Sequence, residues 1–426
     1  MGLIRPGRPK ILMMTDCPLI HTGQAVVIRE ISLGLHALGK YDIVVAAWGY
    51  GGQPHQLPYT MLPASARDFG RNGIPEAGIP PFERIIDQVR PDIVWTVADI
   101  WMVDYITQMQ NRNSFKWIAY TPIDGDPVPD NWVQWFRNAD QLVCETKYGM
   151  DAVAGKCPDV DPTFIYHGCK PQAYRPLSDA EKKNIRQNIN YQGIKADGSL
   201  ENRRGLPEDA FVVGCFARNQ PRKNFDKTLK AFKRFAKDKP NARLWIHAAP
   251  IDQAYNLPQI AKMWGIADKV CFTPNYNILR GLDENNLNMV MNTFDVHLLP
   301  TQGEGFGIPI LETMAAGVPQ IVSDYTSQVE FAREGGELIP LYEDDDFITG
   351  MPHPVERAIP RPSEMERLLN KLYSDPAHRL DLAKKARAKA ETMSWAATIP
   401  QWEQVIDRTL ARPPKSERLA VEILSV

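Results

Sequence analysis

Two glutamates, Glu304 and Glu312, stand eight positions apart in TQGEGFGIPILETMAAGVPQ, residues 301–320. Gly303, Gly305 and Gly307 lie around the first. A helical pattern carries the second, with Pro309 suited to its first turn, Gly317 to its C-cap and Pro319 to its end. Glycines before a helix let the backbone approach a ligand closely and expose N–H groups. The carboxylates suit two chemistries: an acid–base pair flanking a bond, or acceptors for the hydroxyls of a bound ligand. Upstream, RNQPRKNF gathers Arg218, Arg222 and Lys223 around one turn that leads into a helix. Arginine forks oxyanions, lysine adds a point charge, and a helix N-terminus adds N–H groups. An anion site at Arg218 and Lys223 is the expectation. Arg222 is balanced between that site and solvent, and Lys227, Lys230, Lys233 and Lys237 read as a solvated face. The acid–base reading leaves the basic turn without a purpose.

These residues need a frame. KILMMTD (10–16), YDIVVAAW (41–48), PDIVWTVAD (91–99), KWIAYTP (116–122), QLVCET (141–146) and TFIYHG (163–168) are continuous apolar runs. Strands covered on both faces of a parallel sheet read this way. A second set follows: FVVGCFAR (211–218), ARLWIHAA (242–249), KVCFTP (269–274), DVHLLPT (295–301), PQIVSD (319–324) and GELIPL (336–341). Helical patterns separate the strands, as in Val26, Val27, Ile31, Leu35 and Leu38 before Gly39. The expectation is α/β: two Rossmann-like, doubly wound parallel-sheet domains facing across a cleft. Boundaries are placed at 1–170, at a linker and insertion over 171–207, at 208–390, and at a helical tail, 391–426, with a proline break, packing back on the first domain. In an open parallel sheet, ligands bind beyond the carboxyl ends of the strands. Glu304, Glu312 and the basic turn all follow such ends.

The totals narrow the classes. The chain has 426 residues, 44% hydrophobic and 23% charged, with a formal net charge of −2. Wholesale polyanion binding would need a basic excess. Cys17, Cys144, Cys157, Cys169, Cys215 and Cys271 form no CxxC pair and sit in or beside apolar runs, which predicts buried free thiols. No His/Cys/Asp cluster has metal-ligand spacing. The first residues lack an apolar signal core, and no run approaches the ~20 residues of a membrane span. The expectation is a cytoplasmic protein, with peripheral attachment at the inner membrane face as the alternative.

The segment 304–319 matches E-G-F-G-x-P-x-x-E-x-M-A-x-G-x-P at every fixed position, and RNQPRK matches R-x-x-x-x-K. In these motifs the chain resembles the retaining GT-B glycosyltransferases of glycosyltransferase family 4 (group 1). The resemblance is close over 208–335 and in outline only before that. It implies a sugar transferred from a nucleotide-diphosphate donor to an acceptor hydroxyl with retention, and no metal or cofactor. Residue by residue, it implies that Arg218 and Lys223 hold the diphosphate and that Glu312 binds the ribose. Glu304 contacts the sugar, and the N–H groups of Gly305, Phe306 and Gly307 line sugar and phosphates. CFTPNYN (271–277) falls where the base is contacted, and IYHGCKP (165–171) where the two domains hinge.

The first half departs from the family. The loop TDCPLIHTGQ takes the place of its first-strand loop, which makes Gly23 a donor-binding candidate, with Thr22 and Gln24 beside it. The family's histidine after the fourth strand is absent. YTPIDGD stands there, so Asp124 becomes the candidate to orient an acceptor or act as base; a local Asx turn before Gly125 explains it equally well. Asp99 is another strand-end carboxylate, and His21 and His167 read as ordinary histidines. Acceptor classes left open are a glycan, a lipid-linked group, a small molecule or a modified DNA base. RPGRPK, Arg5 to Lys10, contains Gly-Arg-Pro like a minor-groove hook, so a DNA-associated enzyme is one alternative and a nucleotide-sugar epimerase of the same fold another. The lysine-rich helix around 224–239 is the candidate membrane-surface patch.

Overall fold

The computed structural model describes residues 7–64, 82–252, 254–277, 279, 281–342, 345–350 and 353–413. Arg5, part of the Gly-Arg-Pro segment, and residues 414–426 of the tail lie outside them. The chain forms two compact units, one of 1–123, 128–167 and 395–426, the other of 124–127 and 168–394.

The first unit runs β1 (Lys10–Asp16), α1 (Gly23–Leu38), β2 (Asp42–Trp48), β3 (Thr60–Ala64), α2 (Phe82–Val89), β4 (Ile93–Val97), β5 (Lys116–Thr121), α3 (Val133–Asn138), β6 (Gln141–Cys144), α4 (Lys147–Lys156) and β7 (Thr163–Phe164). Its seven strands order β3-β2-β1-β4-β5-β6-β7, all parallel. Both faces are covered, so β4 is buried at every position. Strand β3, TMLPA, escapes sequence reading because it is short and carries a proline, which only an edge strand tolerates.

The second unit runs α5 (Asp179–Asn188), β8 (Asn190–Ile194), β9 (Leu200–Arg204), β10 (Phe211–Phe216), α6 (Phe225–Phe235), β11 (Ala242–His247), α7 (Leu257–Met263), β12 (Val270–Phe272), α8 (Glu284–Met291), β13 (Val296–Leu299), α9 (Ile308–Ala315), β14 (Gln320–Ser323), α10 (Val329–Ala332) and β15 (Gly336–Ile339). It ends with β16 (Phe347–Thr349), β17 (Glu356–Ala358), α11 (Pro362–Ser374) and α12 (Pro376–Glu391). The sheet order is β15-β14-β13-β10-β11-β12-β8-β9. The first six strands are parallel, and the β8–β9 hairpin adds antiparallel on β12. Residues 171–207, expected as linker and insertion, therefore complete a sheet edge. The last helix, α13 (Trp395–Ala411), counts with the first unit and runs through Pro400 without the expected break.

All six cysteines are free and buried. Desolvation pushes the Cys144 thiol well above its ordinary value and those of Cys215 and Cys271 up to about 12, so they stay protonated and pack as small hydrophobes.

The order in which strands are added reverses in the second sheet between β10 and its parallel neighbour β13, which makes their C-terminal ends the switch point where such sheets bind ligands. Gly214 lets the two strands' surroundings close: a Cβ there would stand 2.1 Å from the Phe294 ring. Gly214→Ala should lower stability by about 1–3 kcal/mol through overpacking, read as a fall in the thermal unfolding midpoint.

Candidate active site

The site is built from three strand ends of the second unit. Beyond β10 lies a 3-10 turn, Pro221–Lys223, that passes into α6 through Asn224 in the left-handed conformation (φ 52°). Asparagine tolerates that region, and its side chain donates to the Pro300 carbonyl at 2.7 Å. Beyond β13, Gln302 N–H donates to the Arg222 carbonyl at 2.7 Å, and Thr301 Oγ1 donates to the Arg222 and Gly303 carbonyls. Beyond β14, Ser323 Oγ donates to the Thr301 carbonyl at 2.7 Å.

These bonds bring Glu304 to the basic turn. Its Oε1 pairs with Lys223 Nζ, and its Oε2 accepts from Arg222 Nη1 at 3.0 Å. The same Nη1 donates to the Gly303 carbonyl at 2.9 Å. Glu304 is 4% exposed and Lys223 7%. Burial alone would raise the Glu304 carboxyl, but Arg222 and Lys223 outweigh it and hold it down at about 2. Burial, reinforced by Arg222 and opposed by Glu304, pushes the Lys223 ammonium down to about 8. At pH 7 all three are charged, one carboxylate between two cations. Asp124 also acts on Lys223, raising its pKa.

Thr326 fixes the loop from the other side. Its Oγ1 accepts the Glu304 N–H at 3.0 Å, and it holds φ 58°, a region a β-branched residue rarely occupies. Strain of this kind persists where surrounding contacts determine it and collects at functional sites.

Helix α9 begins at Ile308, after Gly307 (φ 101°), which serves as N-cap without a side-chain cap. No protein acceptor is recorded for the N–H groups of Gly305, Gly307 and Ile308 among the described residues. Together with the helix dipole they suit an anion. Glu312 is the fifth helical residue and lies in the second turn. It is buried, 7% exposed, and close enough to Cys169 and Tyr276 to act electrostatically on both. Phe306 is buried against Phe331, ring centroids 4.9 Å apart. The helix ends in a Schellman arrangement, Gly317 N–H to Met314 O and Val318 N–H to Thr313 O, with Gly317 at φ 75°.

Beneath the site, a buried imidazole ties the elements together. His297 Nδ1 donates to Gln320 Oε1 at 2.6 Å, and Nε2 accepts from Phe216 N–H at 3.2 Å. Thr313 of α9 joins through Gln320. Burial holds His297 down at about 4, so it stays neutral and can accept.

The other expected residues fall as follows. Arg218 pairs with Asp252, Nε to Oδ2 at 3.2 Å, rather than with the Glu304 cluster. Asp124, with the rest of 124–127, counts in the second unit; its carboxylate meets Arg357 Nη1 at 2.9 Å, so an ion pair replaces the local-turn reading. Gly23 is the exposed first residue of α1 in the first unit, after Thr22, whose Oγ1 caps Ala25 N–H and donates to Asp16. His167 is buried in the first unit, its Nδ1 2.8 Å from the Tyr120 hydroxyl. Lys10 opens β1, its Nζ donating to the Val89 carbonyl. Arg222, which the sequence left balanced between site and solvent, belongs to the constellation, as do Thr326 and Arg357, which sequence reasoning did not single out. Only Arg222 had a signal, its place beside Lys223. Among the described residues, no group of three His, Cys, Asp or Glu could hold a metal ion, and no helix is long and apolar enough to cross a membrane.

Because the folded state holds Glu304 below its ordinary value, its contribution is complete above pH 4.5 and is lost as pH falls toward 2. Glu304→Gln should destabilise the protein by about 3–5 kcal/mol at pH 7, by leaving Lys223 buried and unpaired. Thermal melts between pH 4.5 and 2 should show a weaker acid dependence in the variant.

Residues 198–389 match the family described as "Glycosyl transferases group 1". A D-inositol 3-phosphate glycosyltransferase from Corynebacterium kroppenstedtii is 22% identical over 327 residues, 75% of this chain and 65% of that protein. The match thus spans just under two thirds of that relative's length. A protein of the same name from Mycobacteroides abscessus is 29% identical over 346 residues, 78% of this chain and 68% of the relative. The structure of Anabaena HepE, in complex with UDP and glucose, superposes with a TM-score of 0.68 at 16% identity, covering 94% of this chain and all of that one. The two Rossmann-like units and this superposition show the GT-B fold, and the segment 198–389, which carries the site, is similar to the group 1 glycosyltransferases.

Proposed function

We propose that the protein transfers a sugar from a nucleotide-diphosphate donor to an acceptor hydroxyl, with retention at the anomeric carbon. One observation carries the reading: Lys223 and Arg222 converge on Glu304 beside the uncapped N-terminus of α9. Two cations and free N–H groups at a switch point suit a departing diphosphate, and preorganised charge of this kind stabilises a leaving group without a protein nucleophile. Glu304 then answers the cations when the donor is absent and meets the sugar when it is bound. Glu312 takes the ribose. Retention rests on the resemblance of 304–319 to the retaining enzymes. The names of the relatives offer the first substrates to try: UDP-glucose as donor, from the ligands of HepE, and D-inositol 3-phosphate as acceptor.

Product formation by wild type, Glu304→Ala and Lys223→Ala tests the assignment, with NMR of the product's anomeric proton for its stereochemistry. Losses of about 100-fold or more are expected for each variant. Equal rates in all three would refute the site. A thermal-shift panel of nucleotides should show UDP or another nucleoside diphosphate raising the midpoint, since a ligand bound only by the folded state stabilises it.

The pH dependence follows from Lys223. With its pKa lowered to about 8, the free enzyme loses this cation as pH rises through that value. The expected profile of kcat/KM has an alkaline limb near pH 8 that Lys223→Arg, which stays charged, moves upward.

A further inference from the structure

We infer that Arg357 is the positioning residue that sets Asp124 as the acceptor-facing carboxylate of this site; the inference rests on the sugar-transfer reading above. Asp124 occupies the place where the expected histidine is missing, and by itself Asp-Gly-Asp is a flexible loop. The second unit holds that loop at every residue. One nitrogen, Arg357 Nη1, supplies both Asp124 bonds, to its carbonyl at 2.7 Å and to Oδ2 at 2.9 Å. No partner is recorded for Oδ1 among the described residues. Glu356 N–H donates to the Asp126 carbonyl at 2.7 Å. Tyr325 accepts from Asp126 N–H at 3.2 Å and donates to the Glu356 carbonyl at 2.9 Å.

Two glycines make the fit possible. At Gly303, φ 157°, a Cβ would lie 2.0 Å from the Asp124 carbonyl oxygen, so the loop rests directly on the residue before Glu304. At Gly125 a Cβ would lie 2.9 Å from the Glu356 carbonyl oxygen. Backbone oxygens cannot retreat as side-chain ends can, so both contacts are built into the fold.

The support for Arg357 has its own frame. It sits on β17, paired through Ile348 with β16, in a two-stranded ribbon separate from the main sheet. Ala358 N–H of the same strand donates to the Gln302 carbonyl at 3.0 Å. The ribbon therefore grips the glycine-rich loop and the 124–127 loop at once. Arg357 is 18% exposed and Asp124 19% at their side chains, partly shielded from water, where an ion pair can hold a geometry. With Oδ2 and the carbonyl engaged, Oδ1 remains to accept the hydrogen of an acceptor hydroxyl. Asp124 and Lys223 also interact electrostatically, so the carboxylate belongs to the same charged constellation. A carboxylate held on one oxygen and open on the other is how a general base or an acceptor-orienting group is presented.

The test measures UDP release from UDP-glucose with and without D-inositol 3-phosphate, in wild type, Arg357→Ala, Asp124→Ala and the double variant, beside UDP binding and thermal midpoints. In Arg357→Ala, acceptor-dependent kcat should fall roughly tenfold or more, while the UDP Kd stays within about twofold. The double variant should be no slower than Asp124→Ala alone, because Arg357 acts through Asp124. A kcat within about twofold of wild type in Arg357→Ala, or losses that multiply in the double variant, overturns the inference and leaves the transfer reading standing. Loss of UDP binding together with kcat in Arg357→Ala also overturns it, since that marks general disruption of the site. Absence of acceptor-dependent release in wild type overturns both the reading and the inference that rests on it.

Discussion

Glu304 held between Lys223 and Arg222 is the interaction around which the second unit is arranged. A buried carboxylate with one cation would barely offset its own desolvation. With two, it stays ionised far below the ordinary carboxylate range, while its backbone N–H, donated to Thr326, fixes the loop that carries it. The arrangement leaves the pair of cations in excess by one charge. In the proposed reaction a diphosphate meets a site already organised for it, with nothing to reorient except the carboxylate that stood in.

That cluster sits where it does because of strand order. The reversal between β10 and β13 leaves two loops side by side at their carboxyl ends, one basic and one glycine-rich. The bonds from Gln302, Thr301 and Asn224 then fuse the loops into one body. Below them, His297, Gln320 and Thr313 bind β10, β13, β14 and α9 through a fully buried polar network. A neutral imidazole can donate from one nitrogen and accept at the other, which is what four converging elements require. Apolar packing alone would hold these elements together without fixing their register so closely.

The β16–β17 ribbon adds a second layer of control. It is small and has no core of its own, yet it contacts the glycine-rich loop through Ala358 and the 124–127 loop through Arg357 and Glu356. Residues 124–127 follow directly from β5 of the first unit but take their fixed geometry from the second. A short polar loop of this kind has no conformation worth predicting locally; its shape is decided by what it binds.

How much could be read beforehand follows from the range of the interactions. Twelve parallel strands announce themselves as apolar runs, because burial on both faces removes any alternation. The motif around Glu304 and Glu312 is equally visible, because glycine and proline placement is a local demand of the turn and the helix it opens. The β8–β9 hairpin hides, since LENRR is polar and lies at a sheet edge. So does the ribbon, whose strands have three residues each. The sequence favours Arg218 over Arg222 in RNQPRK; folding sends Arg218 to Asp252 and Arg222 to Glu304. The amino-acid sequence by itself determined the fold class and the loops that carry the chemistry, because those are set by periodicity and nearby turns. Only the tertiary structure decided the partners of Glu304 and Asp124. Arg357 lies 233 residues from Asp124 along the chain, and no local pattern reports a charge pair made across that distance.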